Sequence, residues 1–115
     1  MSLAKKLNLK DGMAIRVVSR PVGVDLDDVE STALRSCPNV LVFVRTAKDV
    51  DARVATLTAS AAAGGLTWVA YPKAGLLETD LNRDILRRHL EPIGVKPVRQ
   101  VAIDAVWSAM RMRRS

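Results

Sequence analysis

The sequence predicts an α/β sandwich built on a mostly parallel sheet of about five strands that ends in an antiparallel hairpin. Short apolar runs alternate with segments of helical spacing along most of the chain. Val40–Val44, VLVFV, is apolar at every position, as in a parallel strand buried on both faces. The last two apolar stretches, Val98–Ile103 and Trp107–Met112, are too close together for a helical crossover and should pair as a hairpin.

The chain opens with a short helix and a first strand. Ser2 can cap a helix that ends at Lys10–Gly12. Ala14–Ser19 is rich in β-branched residues and should form the first strand, which Pro21 and Gly23 interrupt.

A second helix is predicted from Leu26 to Leu34. Its apolar residues recur at the spacing of one helix face; they are Leu26, Val29, Ala33 and Leu34. Asp25, Asp27 and Asp28 lie in its first turn, where the dipole of a helix favours negative charge. Pro38 would close this element before the central VLVFV strand.

The third predicted helix begins at Thr46, which forms a capping box with Asp49. Its apolar stripe comprises Val50, Val54, Leu57 and Ala61, and Gly64 ends it as a left-handed residue. The next strand is Leu66–Tyr71.

A last helix follows, capped by Thr79 or Asp80 and stopped near Pro92. Its apolar residues are Leu81, Ile85, Leu86 and Leu90.

This element order poses a geometric problem. Crossovers between parallel strands are nearly always right-handed, so three successive crossovers in one direction would place every helix on one face. The VLVFV strand, however, needs cover on both faces. Either the winding reverses, or the N-terminal helix covers the second face, or another subunit does. We predict a homodimer.

The composition is that of one small domain, assigned to residues 1–115. Apolar residues make up 49% of the chain and charged residues 26%, a balance typical of globular proteins. No apolar run approaches the ~20 residues that span a bilayer, and the opening residues lack the apolar region of a signal peptide. Cys37 is the single cysteine, so no internal disulfide can form and we expect a cytoplasmic protein. We expect no membrane partner, because no apolar run is long enough to span a bilayer.

The formal net charge is +6, and its distribution is uneven. Cations gather in the first twenty residues and in the last third of the chain, the latter including Arg83, Arg87, Arg88, Lys96, Arg99, Arg111, Arg113 and Arg114. A basic balance is compatible with polyanion binding or with a basic surface that faces only water.

Several stretches resemble known proteins. Ala61–Lys73, AAAGGLTWVAYPK, is similar to the segment of class I S-adenosylmethionine methyltransferases in which a helix ends in glycines before a late strand. Tyr71–Lys73, Thr79–Asp84 and Val101–Arg111, with the opening Leu3–Met13, resemble a bacterial family of small, uncharacterised, methyltransferase-like proteins. The resemblance implies a Rossmann-like, methyltransferase-like sandwich of two or three layers.

The chain departs from that pattern where the cofactor would bind. Methyltransferases of this class hold S-adenosylmethionine on a glycine-rich turn after the first strand, by logic like that of dinucleotide-binding folds. Here the first strand runs into Ser19–Asp28, which contains one glycine, Gly23, and no G-x-G. We therefore predict no cofactor, with S-adenosylmethionine as the alternative.

Candidate ligand residues follow from the rule that open α/β sheets bind ligands outside the carboxyl ends of their strands. The candidates for a small anionic ligand are Arg20, Tyr71, Lys73, Thr79 and Asp80. Lys73 could instead be solvated, and Thr79 and Asp80 could serve only as helix caps. Trp107 and Arg111 are the candidate partner-binding residues, with core packing and solvent exposure as their structural alternatives.

No catalytic residue and no metal site is predicted. His89 has no neighbouring ligand types at metal spacing, and Cys37 has no histidine base nearby in sequence. The leading hypothesis is a non-enzymatic methyltransferase-like domain that acts through protein contacts or binds a small anion. The alternatives are a reduced S-adenosylmethionine-dependent methyltransferase and a nucleic-acid-binding protein.

Overall fold

The computed structural model describes residues 2–115, which form a six-stranded mixed sheet with a separate apolar core on each face. The strands are β1 Ile15–Val18, β2 Ser31–Thr32, β3 Val40–Phe43, β4 Thr67–Pro72, β5 Val95–Ala102 and β6 Trp107–Arg114. The helices are α1 Leu3–Lys6, α2 Ala47–Ala52, α3 Val54–Ala62 and α4 Arg83–Leu90. Two single 3₁₀ turns, Leu76–Glu78 and Glu91–Ile93, flank α4.

The strands lie in the order β2-β1-β3-β4-β6-β5. The pairs β1/β2, β1/β3 and β3/β4 are parallel, whereas β6 is antiparallel to both β4 and β5. The α/β class and the antiparallel C-terminal hairpin are therefore confirmed, and the sheet as a whole is mixed. β3 is buried at every position, as its uninterrupted apolarity predicts, and β4 is buried throughout although it includes Thr67.

The predicted helix from Leu26 to Leu34 is wrong. Turns occupy this segment and lead into β2, which pairs with β1. The aspartates explain the difference, because short acidic side chains bond to backbone N–H groups in non-helical conformations. Asp25 Oδ1 accepts from the Asp27 amide at 2.8 Å, and Asp27 has a φ of 55°. Asp28 Oδ1 accepts from the Ala4 amide at 3.0 Å and so stabilises α1 instead.

Two other helix boundaries differ from those predicted. The single helix expected after Thr46 is two, because Arg53 leaves the helical region at φ −114° and ψ 9° and separates α2 from α3. The last helix begins later than predicted, since Asn82 is the residue that caps α4 through a bond from the Ile85 amide. The Thr46 capping box and the left-handed Gly64 are both present, at the predicted positions.

Helices α2, α3 and α4 cover one face of the sheet, around buried Val42, Val69 and Met110. The opposite face is covered by α1 and by the segment between β1 and β2, whose side chains pack on Leu41 and Trp68. The Trp68 indole Nε1 donates to the Leu7 carbonyl oxygen at 3.0 Å and thereby holds the end of α1 against the sheet.

The winding reverses at β1. The chain passes from β1 to β2 at one side, then crosses to β3 at the other side of β1 and continues to β4. Reversing the direction of a right-handed crossover moves the connection to the other face of the sheet. Buried Val24 and Leu26 accordingly belong to the core on the α1 face. The chain covers both faces of the sheet itself, so a second subunit is not needed for that purpose. The homodimer remains a prediction, but the geometric argument for it no longer applies.

Gly65 and Pro38, which lie just before β4 and β3, approach each other closely. A Cβ built on Gly65 would overlap the Pro38 carbonyl oxygen, which also accepts from the Ser60 hydroxyl at 2.6 Å. Among residues 2–115, no helix is both long enough and apolar enough to cross a membrane.

We predict that Gly65→Ala lowers the free energy of unfolding by about 3 kcal/mol, because the added methyl group must displace a backbone carbonyl in a packed region. Gly64→Ala is the matched control. Gly64 has a φ of 74° and open space around its missing Cβ, so backbone strain alone should cost about 1 kcal/mol. Urea denaturation measures both values. Equal losses in the two variants would contradict the packing explanation.

Candidate functional site

A cleft of about 390 Å³ opens at the carboxyl edge of β1 and β3. This position is a topological switch point, because the strands that follow β1 in sequence lie on its two opposite sides. Open α/β sheets bind ligands at such points, because the connections from two neighbouring strands run in opposite directions there and a crevice forms between them. The cleft is therefore the structural feature from which a functional site can be built.

The inner wall of the cleft is aromatic. Phe43 ends β3 and Trp107 begins β6, and their rings meet edge to face at a centroid distance of 5.2 Å and an interplanar angle of 77°. The Asp104 carboxylate accepts from the backbone amide of Trp107 at 2.8 Å, which fixes the first residue of β6. Phe43 is 4% and Trp107 6% exposed, so the two rings are held rigidly and only a small apolar area of them reaches the base of the cleft.

Two arginines stand on the rim. Arg45 Nη1 donates to the Leu77 carbonyl oxygen at 3.1 Å, and Arg53 Nη2 donates to the Ser19 hydroxyl at 3.0 Å. Each guanidinium has five N–H donors, so one bond leaves most of them for another acceptor. Neither arginine belongs to the two ion pairs found within residues 2–115.

The one carboxylate in the lining, Asp49, is directed at the backbone. Its Oδ2 accepts from the amide of Arg45 at 3.0 Å and from that of Thr46 at 3.2 Å, in the capping box of α2. The Arg45 amide, followed by Thr46, holds the pKa of Asp49 below its usual value of 3.8, although partial burial opposes this shift. The helix N-terminus offsets the charge of Asp49, so the rim is dominated by the two guanidinium groups.

Left-handed backbone occurs on two sides of the cleft. Ser19 has a φ of 62° and Leu77 a φ of 52°, and both residues line it. Residues other than glycine adopt this conformation rarely, and such residues cluster where structure serves binding. Leu77 is also half exposed.

The predicted ligand residues fall outside the lining of this cleft. Arg20 is exposed beside Ser19. Tyr71 is buried in the core under the helices, where burial raises the pKa of its phenol and nearby Arg83 acts against that shift. Lys73 continues the chain after β4, and its backbone amide donates to the Val106 carbonyl oxygen at 2.8 Å.

Thr79 and Asp80 join the loop after β4 to the start of α2. The Thr79 hydroxyl donates to the Arg45 carbonyl oxygen and accepts from the Leu81 amide. Asp80 Oδ1 accepts from the Ala47 amide at 2.9 Å. Asp80 thus binds the N-terminus of α2 and not that of α4, and the two residues support the wall that carries Arg45.

The two predicted partner-binding residues lie apart. Trp107 lines the cleft, whereas Arg111 is four residues further along β6, about 13 Å away at strand geometry. Neither Arg45 nor Arg53 is among the candidate residues that the sequence predicts. Arg45 comes just before Thr46, the cap of α2, and Arg53 is the residue at its C-terminal end, so both lie outside the helix and no helical spacing identifies them.

A scan against protein families and searches of curated proteins and of solved structures find no match to the chain. The chemistry of the site is therefore argued from its own residues. Within residues 2–115, no three His, Cys, Asp or Glu side chains come together as a metal-binding group.

The lowered pKa of Asp49 leads to a prediction about acid stability. A carboxylate whose pKa is depressed by folding stabilises the protein above its unfolded pKa, and this contribution is lost as pH falls through the lower folded pKa. We expect Asp49→Ala to lower the free energy of unfolding by about 1 kcal/mol at pH 7. The difference from wild type should shrink as pH falls below about 3.8.

Urea denaturation from pH 7 to pH 2.5 measures this difference, with Asp11→Ala, which removes an exposed turn carboxylate, as the control. A loss in Asp49→Ala that is independent of pH would show that the charge of Asp49 contributes nothing.

Proposed function

We propose that this protein binds a small anionic ligand that has a flat apolar portion, and that it holds the ligand in the cleft between Arg45 and Arg53. The observation that carries the proposal is the location of two arginines beside an aromatic wall at the switch point of the sheet. A Rossmann-like character of the parallel half of the sheet is part of this proposal, and the position of the cleft supports it, because such folds bind ligands at the same place.

The chemistry of the lining favours an anion over a cation. Guanidinium groups bind carboxylates and phosphates through paired N–H donors, and they do so more strongly where water is partly excluded. Arg53 is half buried, and its recorded bond to the Ser19 hydroxyl orients it without neutralising it. Phe43 and Trp107 provide a small apolar contact for a planar group at the base of the cleft.

The residues present do not fit S-adenosylmethionine. The turn after β1 contains one glycine, Gly23, at φ 87°, and lacks the further glycines that let the backbone approach the cofactor in such folds. Ala33 and Leu34 follow β2, where methyltransferases of this class carry an acidic residue for the ribose. Asp25 and Asp28, which precede β2, bond to backbone amides.

We therefore favour a non-enzymatic binding domain over a reduced methyltransferase. The contacts that position the rim arginines are structural: a loop carbonyl for Arg45 and a strained serine for Arg53. This arrangement provides recognition of an anion, and the proposal requires no bond to be made or broken in the ligand.

The proposal is tested by NMR titration with adenosine monophosphate, a probe that combines a phosphate with a flat ring. We expect the largest shifts in the backbone amides of Ser19, Arg45 and Arg53 and in the indole N–H of Trp107. Arg45→Gln and Arg53→Gln should each weaken binding about tenfold or more, because each removes hydrogen bonds between charged groups.

Arg88→Gln, which removes an exposed arginine on α4, is the matched control and should leave the affinity unchanged. Shifts confined to other surfaces, or equal effects of all three substitutions, would overturn the proposal. Adenosine monophosphate and inorganic phosphate titrated separately distinguish the contribution of the aromatic wall, because only the nucleotide can use it.

A further inference from the structure

The β5–β6 hairpin concentrates positive charge on its two strands. Val95–Ala102 and Trp107–Arg114 contain no acidic residue and carry five cations, which are Lys96, Arg99, Arg111, Arg113 and Arg114. This hairpin forms one end of the sheet, with β5 as its edge strand.

Four of these cations lie on one face in directly opposed pairs. Lys96 is opposite Arg113, and Arg99 is opposite Arg111, with an irregularity in β5 between the two pairs. Arg111 and Arg113 share a face because strand side chains alternate. We call Lys96, Arg99, Arg111 and Arg113 the basic face. Like charges directly opposite one another destabilise a sheet, so this pattern has no explanation in the stability of the hairpin.

The basic face is accessible and is not neutralised within residues 2–115. Lys96, Arg99 and Arg113 are exposed. The two ion pairs in the described part of the chain join Arg87 to Asp84 and His89 to Asp51, and neither includes a residue of the hairpin. Arg111 is half buried opposite Trp68 of β4, and its Nε is buried without a hydrogen-bond partner there.

We propose that the basic face binds the phosphate backbone of nucleic acid without regard to base sequence. Strand geometry places its four cations at the corners of a rectangle of about 5 by 7 Å. Phosphates recur along each nucleic-acid strand at intervals of about 3.4 Å of axis, so a row of two cations matches two steps of the chain. Three of the four are arginines, whose planar donor sets match phosphate oxygens.

The side chains of the basic face favour this partner over a membrane surface. Elements that lie on membranes combine cations with apolar side chains that enter the lipid. Val98 is the one large apolar side chain exposed on the two strands, so the hairpin can contact phosphates but has little to insert into lipid. The basic face also has no aromatic side chain on which bases could stack. We therefore expect it to recognise the phosphate backbone of the nucleic acid and not the bases. The site is separate from the cleft, because Arg111 and Trp107 are about 13 Å apart along β6.

Fluorescence anisotropy with a labelled 20-base-pair DNA duplex, measured from 50 to 300 mM KCl, tests the proposal. If each of the four cations neutralises one phosphate, the logarithm of the association constant should fall with the logarithm of salt concentration at a slope of about −3.6. Arg99→Gln combined with Arg113→Gln should reduce the slope by about 1.8 and weaken binding about 60-fold at 0.1 M salt.

Arg35→Gln combined with Arg88→Gln is the matched control, because it removes the same charge from exposed positions outside the hairpin. This control should retain the wild-type slope. The unfolding temperature of the hairpin variant should not fall, since the substitutions relieve like-charge pairs.

The proposal is overturned if the duplex does not bind, if its binding is independent of salt, or if the control loses as much affinity as the hairpin variant. Binding to vesicles of anionic lipid without binding to the duplex would also overturn it.

Discussion

Burial of both faces of the two central strands is the constraint on which the structure depends. β3 and β4 present apolar side chains above and below the sheet. A chain that wound in one direction only would cover one of these faces and expose the other. The reversal at β1 solves this problem, because it sends the segment containing Val24 and Leu26 to the face that α2, α3 and α4 leave open.

The same reversal produces the cleft. Where connections leave β1 and β3 in opposite directions, the carboxyl edge of the sheet is left without a covering segment. The residues that border this opening are held by contacts from three parts of the chain. Thr79 and Asp80 bind the start of α2, and Arg45 binds Leu77 in return, so the rim is cross-linked by hydrogen bonds on both sides of the loop. The geometry that presents the arginines is therefore a consequence of how the core is closed.

The sequence was informative where a single physical effect dominates. Continuous apolarity identifies β3, and the short spacing before Trp107 identifies the hairpin. It failed where local and tertiary effects compete. Leu26–Leu34 has helical spacing, yet Asp25 and Asp28 bond to backbone amides, and the segment becomes turns and a short strand. Apolar periodicity does not register these bonds, because the Asp25 bond is a local side-chain turn and the Asp28 bond reaches Ala4, which is far away in sequence.

The candidate site shows the same limit. Its position at the carboxyl edge followed from a general rule, but the residues that line it depend on which strands are neighbours and where the chain reverses. Lys73 and Arg20 are close to that edge in sequence, whereas Arg53 comes to it only because α2 ends there. Pairing of strands over long separations decides these neighbours, and no local pattern in the chain encodes it.

The most direct measurement is anomalous diffraction from crystals soaked in selenate, a heavy tetrahedral oxyanion that locates anion sites independently of affinity assays. The account predicts a selenium peak in the cleft, within hydrogen-bonding distance of the Arg45 or Arg53 guanidinium groups and beside Trp107. Peaks that avoid the cleft while occupying other arginines, or a cleft closed by the side chain of Leu77, would contradict it.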